Sequence, residues 1–361
     1  MKHRLQCIGL AVVALLLALC VVELGLRLAA PCEFIQSVER DPVLGWRGRP
    51  NVACTYRHPL SGVAFPIEQN ERGFRDRAHE LTKPEGFVRA LFVGDSFTWG
   101  WGVSEESIYT RVLERALAGR APPVEVMNAG VPGYNTVQSL LYLRTEGFRY
   151  SPDVVVYQAS DNDITGNRPP VPGGVWLYPY ARAAGDGAST VEGTPLPDLG
   201  CVGWLKYHAA RHSRLGYLLR SRVDCWRQLR ARAAAGRVAC ETRPASRPFG
   251  MFAGLIRAMG DDCAEHGARF VALLDFPISE SERELLRSVC GGIEVLTIES
   301  YLRSREEMSG EDAFIPGDGH WTERGHAWVA ECLVDSVFSA SARARLGPGT
   351  RSGPFESGDT S

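Results

Sequence analysis

From residue 88 onward the chain alternates short apolar runs with longer segments whose apolar positions recur every three or four residues. Segments 88–93, 124–128, 153–158, 269–276 and 294–298 read as strands. Runs of this length with little polar alternation suit parallel strands covered on both faces. Between them the helical period returns. Ser104, Glu105 and Glu106 supply a cap and first-turn acids ahead of Ile108, Val112, Leu113, Ala116 and Leu117. Thr136 caps a segment carrying Val137, Leu140, Leu141 and Leu143, and further helices are expected at 251–266, 280–289 and 323–338. This order predicts an α/β fold, a three-layer α/β/α sandwich around a mostly parallel, flavodoxin-like sheet with right-handed crossovers.

The chain ahead of this pattern is of another kind. Lys2, His3 and Arg4 precede an uncharged run from residue 5 to 22, and Glu23 and Arg27 punctuate the Leu/Ala stretch that follows. That length suits one membrane-spanning helix, and the basic start leaves the remainder outside the cytoplasm. Residues 1–30 are therefore read as an uncleaved anchor in preference to a signal peptide, because no small-x-small cleavage site follows the run. Residues 31–87, with turn signals at Asp41-Pro42, Pro50-Asn51 and Asn70 to Gly73, form a spacer or a small β-rich element. No chemistry is expected there, and Arg75 and Arg77 are read as solvated or paired. Residues 165–249 interrupt the strand–helix alternation with a Pro/Gly-rich half and a helical half through Leu205, Ala209, Leu215, Leu218 and Leu219. They are a candidate lid or a plain surface excursion. The main domain runs from 88 to 342, and the Gly/Pro/Ser composition of 343–361 predicts a disordered tail.

Composition narrows the function classes. A net charge of -2 over 361 residues speaks against a nucleic-acid partner. The ten cysteines show no Cys-x-x-Cys pair, so no zinc site is expected, and the eight outside the first apolar run are open to disulfides or to burial as free thiols.

The candidate chemistry lies where strands end. Gly94-Asp95-Ser96 follows the first sheet strand, and a serine between a parallel strand and the next helix sits at the rim where open α/β sheets bind ligands. Ser96 is the candidate nucleophile, against the simpler reading of Gly-Asp-Ser as turn chemistry. Asn128-Ala129-Gly130-Val131-Pro132-Gly133 and Ser160-Asp161-Asn162-Asp163 close the next two strands on the same rim. The Gly133 N–H, the Asn162 amide and the Ser96 N–H are candidate oxyanion donors. His320, in Gly317-Asp318-Gly319-His320, is the candidate base, with Asp318 able to accept from its imidazole. His326 is the alternative base, read as a packing or capping residue. Trp99 and Trp101 either wall a pocket or fill core.

These blocks, in this order, resemble the SGNH (GDSL-type) hydrolase superfamily over roughly 88–338. Its bacterial membrane-anchored members are similar in the helix followed by Asn70-x-x-Gly73-Phe74-Arg75 and Gly-Asp-Ser-Phe-Thr. The resemblance implies Ser96 as nucleophile, Gly133 and Asn162 as oxyanion donors and His320 as base. Two departures stand out. The family's Asp-x-x-His would put its acid at Gly317, which leaves Asp318, Asp312 or a backbone carbonyl to orient His320; and Ser160 stands where glycine is usual.

The function expected is a serine hydrolase that cleaves acyl esters through an acyl-enzyme in the cell envelope, with its catalytic domain outside the cytoplasm. An acylated glycan or lipid is the substrate class, and no metal or cofactor is implied. The alternatives are an O-acyltransferase modifying an envelope glycan, and a non-catalytic glycan- or lipid-binding protein on the same fold.

Overall fold

The computed structural model describes residues 2–29, 37–58, 62–169, 178–183, 189–192, 249–298 and 310–339, with scattered positions between 201 and 226 and at 301. Most of the candidate lid and the 343–361 tail lie outside the described residues.

Helix α1 (Lys2–Ala29) is solvent-exposed, and its segment Gln6–Leu28 is long and apolar enough to cross a membrane. At about 1.5 Å per residue its 23 residues exceed the roughly 30 Å of a hydrocarbon core. The Glu23 carboxylate accepts from Arg27 Nε at 2.8 Å, Ser213 Oγ at 3.0 Å and the Arg214 and Leu215 N–H groups at 2.8 and 3.0 Å. The acid that interrupts the apolar run is thus fully engaged.

Two antiparallel hairpins follow: β1 (Val38–Asp41) with β2 (Gly45–Gly48), and β3 (Ala53–Arg57) with β4 (Ala64–Glu68). Along β4 burial alternates, Phe65 and Ile67 pointing inward and their neighbours outward, as the two-residue period of a half-buried strand requires.

The central sheet contains β5 (Val88–Val93), β6 (Val124–Asn128) and β7 (Val154–Ala159). The insertion then contributes a separate hairpin, β8 (Tyr180–Ala183) with β9 (Ser189–Glu192), before β10 (Arg269–Leu274) and β11 (Glu294–Thr297) complete the sheet. The spatial order is β11-β10-β7-β5-β6, every pairing parallel. Strand order reverses between β5 and β7, which opens a crevice at their carboxyl ends.

Crossovers cover both faces. Helix α2 (Ser96–Trp99) is a single turn after β5; α3 (Tyr109–Ala116), α4 (Thr136–Thr145) and α5 (Asp161–Gly166) follow, and α6 (Phe249–Glu265), α7 (Glu280–Val289), α8 (Gly310–Ala313) and α9 (Glu323–Ser336) come after the insertion. Alternate strand residues serve opposite layers. Leu91, Val93, Val155, Tyr157, Ala272 and Leu274 pack with Val137, Leu140, Phe252, Ile256 and Leu286 of α4, α6 and α7. Ala90, Phe92, Val154, Val156, Val271 and Leu273 pack with Tyr109, Leu113, Val329 and Leu333 of α3 and α9. The three-layer α/β/α sandwich and its flavodoxin-like strand order are as expected.

Local boundaries differ in instructive ways. Asn135, not Thr136, caps α4. Its side chain accepts from the Gln138 N–H at 2.8 Å while the Gln138 side chain accepts from the Asn135 N–H at 3.0 Å. The Thr136 hydroxyl is instead bonded by Tyr157 and Asn167 at 3.0 and 2.9 Å. Ser104 makes no side-chain cap, because a 3-10 turn at Glu105–Ser107 intervenes before α3 begins. Strands β10 and β11 stop short of the expected 276 and 298, and α9 ends at Ser336.

Candidate active site

The nucleophile turn is built for close approach. After Val93 the chain reaches Gly94, where a Cβ would lie 2.8 Å from the Gln158 carbonyl oxygen of the neighbouring strand. Asp95 caps α2 by accepting the Phe97 N–H at 3.0 Å, and Ser96, half-buried, is the first residue of that turn. Helix α2 stops at Gly100 with φ 88°, a left-handed conformation open to glycine. Its terminal carbonyls are held by a buried cation. Arg75 donates to Gly100 O at 2.5 Å, and also to Pro66 O and Val103 O, both at 2.9 Å. Its guanidinium lies 4.8 Å from the Trp99 ring centroid. Burial draws the Arg75 pKa down to about 10, so it stays charged at neutral pH. Arg75 is therefore buried and, among the described residues, not ion-paired, whereas Arg77 pairs with Glu114 at 2.9 Å.

His320 reaches this turn from the loop before α9. Ser96 Oγ and His320 Nε2 are 2.8 Å apart, and His320 Nδ1 is hydrogen-bonded to Asp318 Oδ1. The one-residue spacing works because Gly317 and Gly319, at φ 74° and 94°, bend the segment around Asp318. Asp312 lies elsewhere: its carboxylate pairs with Arg324 at 3.0 Å and its carbonyl accepts from Thr322 Oγ1. Burial by itself would push the Asp318 carboxyl up; the His320 hydrogen bond and the charges of His320 and His58, with a lesser bond from Trp101, hold it below the ordinary carboxylate range.

The other rim loops converge as follows. The loop after β6 is tied to the nucleophile turn by the Val131 N–H on Gly94 O at 3.1 Å. It leaves Gly133 exposed with φ 77°. Trp46 of β2 packs beneath it, with Nε1 donating to Pro132 O at 3.1 Å. Asn162, exposed in the first turn of α5, comes close to the buried Asp95 carboxyl. Asp95 Oδ2 makes no full hydrogen bond among the described residues. Burial raises its pKa, and the Phe97 N–H, the His320 charge and the nearby Ser160 and Asn162 side chains offset only part of that rise.

Ser160, in the usual glycine position, has a definite task. Its hydroxyl donates to Asp275 Oδ2 at 2.9 Å, and its N–H is held by Asp163 Oδ2 at 2.8 Å. Asp95, Asp163 and Asp275 form a buried acidic group below the rim, and burial together with mutual repulsion raises Asp163 and Asp275 well above normal. No motif marks Asp275 in the sequence; its place directly after β10, at a strand end on the same rim, is the one signal that points to it.

Two further side chains come from the segment where no chemistry was expected or from its contacts. His58, at the end of β3, places Nδ1 3.2 Å from Asp318 Oδ2, and Trp101 Nε1 lies 3.4 Å from the same oxygen. Nothing local in the sequence marks His58, because hairpin docking 260 residues upstream of Asp318 creates the contact. Trp99 is fully buried core, while half-buried Trp101 lines the base. His326 is buried, accepts the Tyr109 N–H on Nδ1 at 3.3 Å and stacks on the Tyr109 ring, so it faces packing rather than Ser96.

Residues 92–328 match the GDSL-like Lipase/Acylhydrolase family. Among solved structures, a lipase/acylhydrolase from Enterococcus faecalis is 15% identical with TM-score 0.38, covering 73% of this chain and 99% of that one. A GDSL-like lipase from Bacteroides thetaiotaomicron is 12% identical, TM-score 0.35, covering 69% and 87%. An acetylxylan esterase from Geobacillus stearothermophilus is 10% identical, TM-score 0.38, covering 69% and 93%. No curated protein matches the chain. The family match takes in well over half the chain, from the end of β5 into the last helix, and the chain belongs to the GDSL-like lipase/acylhydrolase family.

Proposed function

We propose that the chain is a membrane-anchored serine esterase that forms its acyl-enzyme on Ser96. The observation that carries this reading is the continuous hydrogen-bond chain from Ser96 Oγ through His320 to Asp318. With Asp318 accepting the Nδ1 proton, His320 presents a bare Nε2 to the serine hydroxyl. As Ser96 Oγ adds to the ester carbonyl, Nε2 takes its proton, and the imidazolium is left between the Asp318 carboxylate and the faces of Phe97 and Trp101. The Ser96 and Gly133 N–H groups and the Asn162 amide are the assigned oxyanion donors; loss of one such donor commonly costs about 100-fold or more in kcat. Collapse of the intermediate expels the alcohol with the proton from His320. Water, deprotonated by the same nitrogen, then releases the acid and restores Ser96.

Helix α1 and the basic residues before its apolar run support a single-pass anchor with the catalytic domain outside the cytoplasm. Cys54, which is disulfide-bonded, fits an oxidising compartment. An acyl ester carried on an envelope glycan or lipid is the proposed substrate class.

The experiment is hydrolysis of an acyl-ester series by the detergent-solubilised full chain, beside Ser96→Ala and His320→Ala. Activity lost in both variants supports the mechanism, and activity retained by Ser96→Ala refutes it. A glycan acceptor added to the same assay separates transfer from hydrolysis, since acceptor acylation above hydrolysis makes the enzyme an O-acyltransferase.

A further inference from the structure

The Asp318 carboxylate is contacted on both oxygens, and the two sets of contacts come from opposite ends of the chain. Oδ1 serves His320 Nδ1. Oδ2 is met by His58 Nδ1 at 3.2 Å and by Trp101 Nε1 at 3.4 Å. The His58 side chain is 18% exposed and that of Asp318 3%, so water competes little for this oxygen.

His58 is itself held in place. Its N–H donates to Val63 O at 2.8 Å and its carbonyl accepts the Gly62 N–H at 3.0 Å, which closes the β3–β4 hairpin. Its ring meets Trp101 edge-on at 5.7 Å and lies 6.5 Å from Tyr56. Tyr56 and Phe65 in turn pack on Trp101 at 5.4 and 5.6 Å. The hairpin therefore docks as a unit on the residues that follow the nucleophile turn.

An acid only two residues from its histidine has a short leash. Its side chain must fold back toward its own backbone neighbour, and the His320 N–H lies 3.4 Å from the same Oδ1 that serves the ring. A carboxylate held through one oxygen can still rotate about its Cβ–Cγ bond. Contacts on the far oxygen, from the Trp101 N–H and the closer His58 Nδ1, fix its plane, and with it the tautomer and tilt of the imidazole.

We infer that His58 is a positioning residue of the catalytic machinery: its Nδ1 backs Asp318 Oδ2 beside the Trp101 N–H, and through Asp318 it orients His320 toward Ser96. The inference rests on the Ser96–His320–Asp318 reading given under Proposed function. It makes the β3–β4 hairpin, which lies upstream of the family-matched residues, part of the working site.

The test is steady-state ester hydrolysis by the full chain carrying His58→Ala or His58→Asn, with melting temperatures measured alongside. The Asn amide nitrogen falls near the position of histidine Nδ1 and keeps a donor on Asp318. His58→Ala is expected to lower kcat about tenfold with KM unchanged, and His58→Asn to recover most of the loss. Should His58→Ala fail to fold, His58→Leu keeps apolar bulk against Trp101 without a donor and takes its place. Wild-type kcat in the donor-less variant, a loss confined to KM, or an Asn variant that folds yet is no better than the donor-less one overturns the inference. Ser96→Ala in the same assay separates the two claims. If it stays active the triad reading fails; if it is inactive while the donor-less His58 variant works normally, only the role of His58 fails.

Discussion

The Trp101 indole stacks on the His320 imidazole, ring centroids 5.3 Å apart and planes inclined by 28°. Phe97 lies 4.9 Å from the same imidazole, its plane inclined by 36°. An imidazolium packed against two aromatic rings gains cation–π stabilisation that a neutral ring lacks, so these contacts favour the proton-bearing state of the base. Trp101→Leu removes both that face and the N–H directed at Asp318. A fall in kcat of about tenfold is expected, corresponding to about 1.4 kcal/mol. Steady-state kinetics on a short-chain ester checks it.

The identity of the orienting acid has a direct comparison. Asp318→Asn leaves the shape intact but can place an amide N–H against His320 Nδ1, favouring the wrong tautomer; a loss in kcat on the order of 1,000-fold or more is expected. Asp312→Asn touches only an exposed pair with Arg324 and should leave kcat within about twofold. The two variants assayed side by side distinguish the acids.

Arg75 links strand β4 to the end of the nucleophile turn by donating to three backbone carbonyls, of Pro66, Gly100 and Val103. Arg75→Met should cost about 3 kcal/mol, since buried carbonyls left without donors each carry roughly 1–3 kcal/mol of desolvation. Arg75→Lys should recover little, because one ammonium cannot spread over the same fork of acceptors. Urea titration of each variant measures the difference.

The parts of this molecule that local sequence controls were legible in advance. Strands β5, β6 and β10 begin where expected because buried parallel strands are nearly continuous apolar runs, and α7 matches its expected span because Ser279, Glu280 and Glu282 mark its start. Ser96, His320 and Asp318 come together because strand-end loops of a parallel sheet share one rim. Other features were decided by packing between distant segments. His58 and Trp46 reach the rim only once the two small hairpins dock, and Arg75 looks like any surface arginine until β4 and Gly100 enclose it. The cap of α4 went to Asn135 because the neighbouring Thr136 hydroxyl was claimed by Tyr157 and Asn167 across the fold.

His326 sets an acid limit on stability. Burial, with the charges of Arg75 and His320 adding to it, depresses its pKa from 6.5 to about 3. The unfolded chain protonates this ring below about pH 6.5, whereas the folded chain keeps it neutral down to about pH 3. The unfolded state thus binds the extra proton, and stability falls as pH drops through that window by up to about 1.4 kcal/mol per pH unit. His326→Asn, whose side-chain oxygen can accept the Tyr109 N–H, should flatten this fall. Denaturation midpoints between pH 4 and 7 for wild type and variant check it.

The measurement that bears most directly on the central claim is covalent labelling of the full chain with a fluorophosphonate, followed by peptide mapping. One adduct per chain is predicted, on Ser96, with labelling abolished in Ser96→Ala and strongly slowed in His320→Ala. An adduct on another residue, or undiminished labelling of Ser96→Ala, would contradict the assignment of Ser96 as the nucleophile.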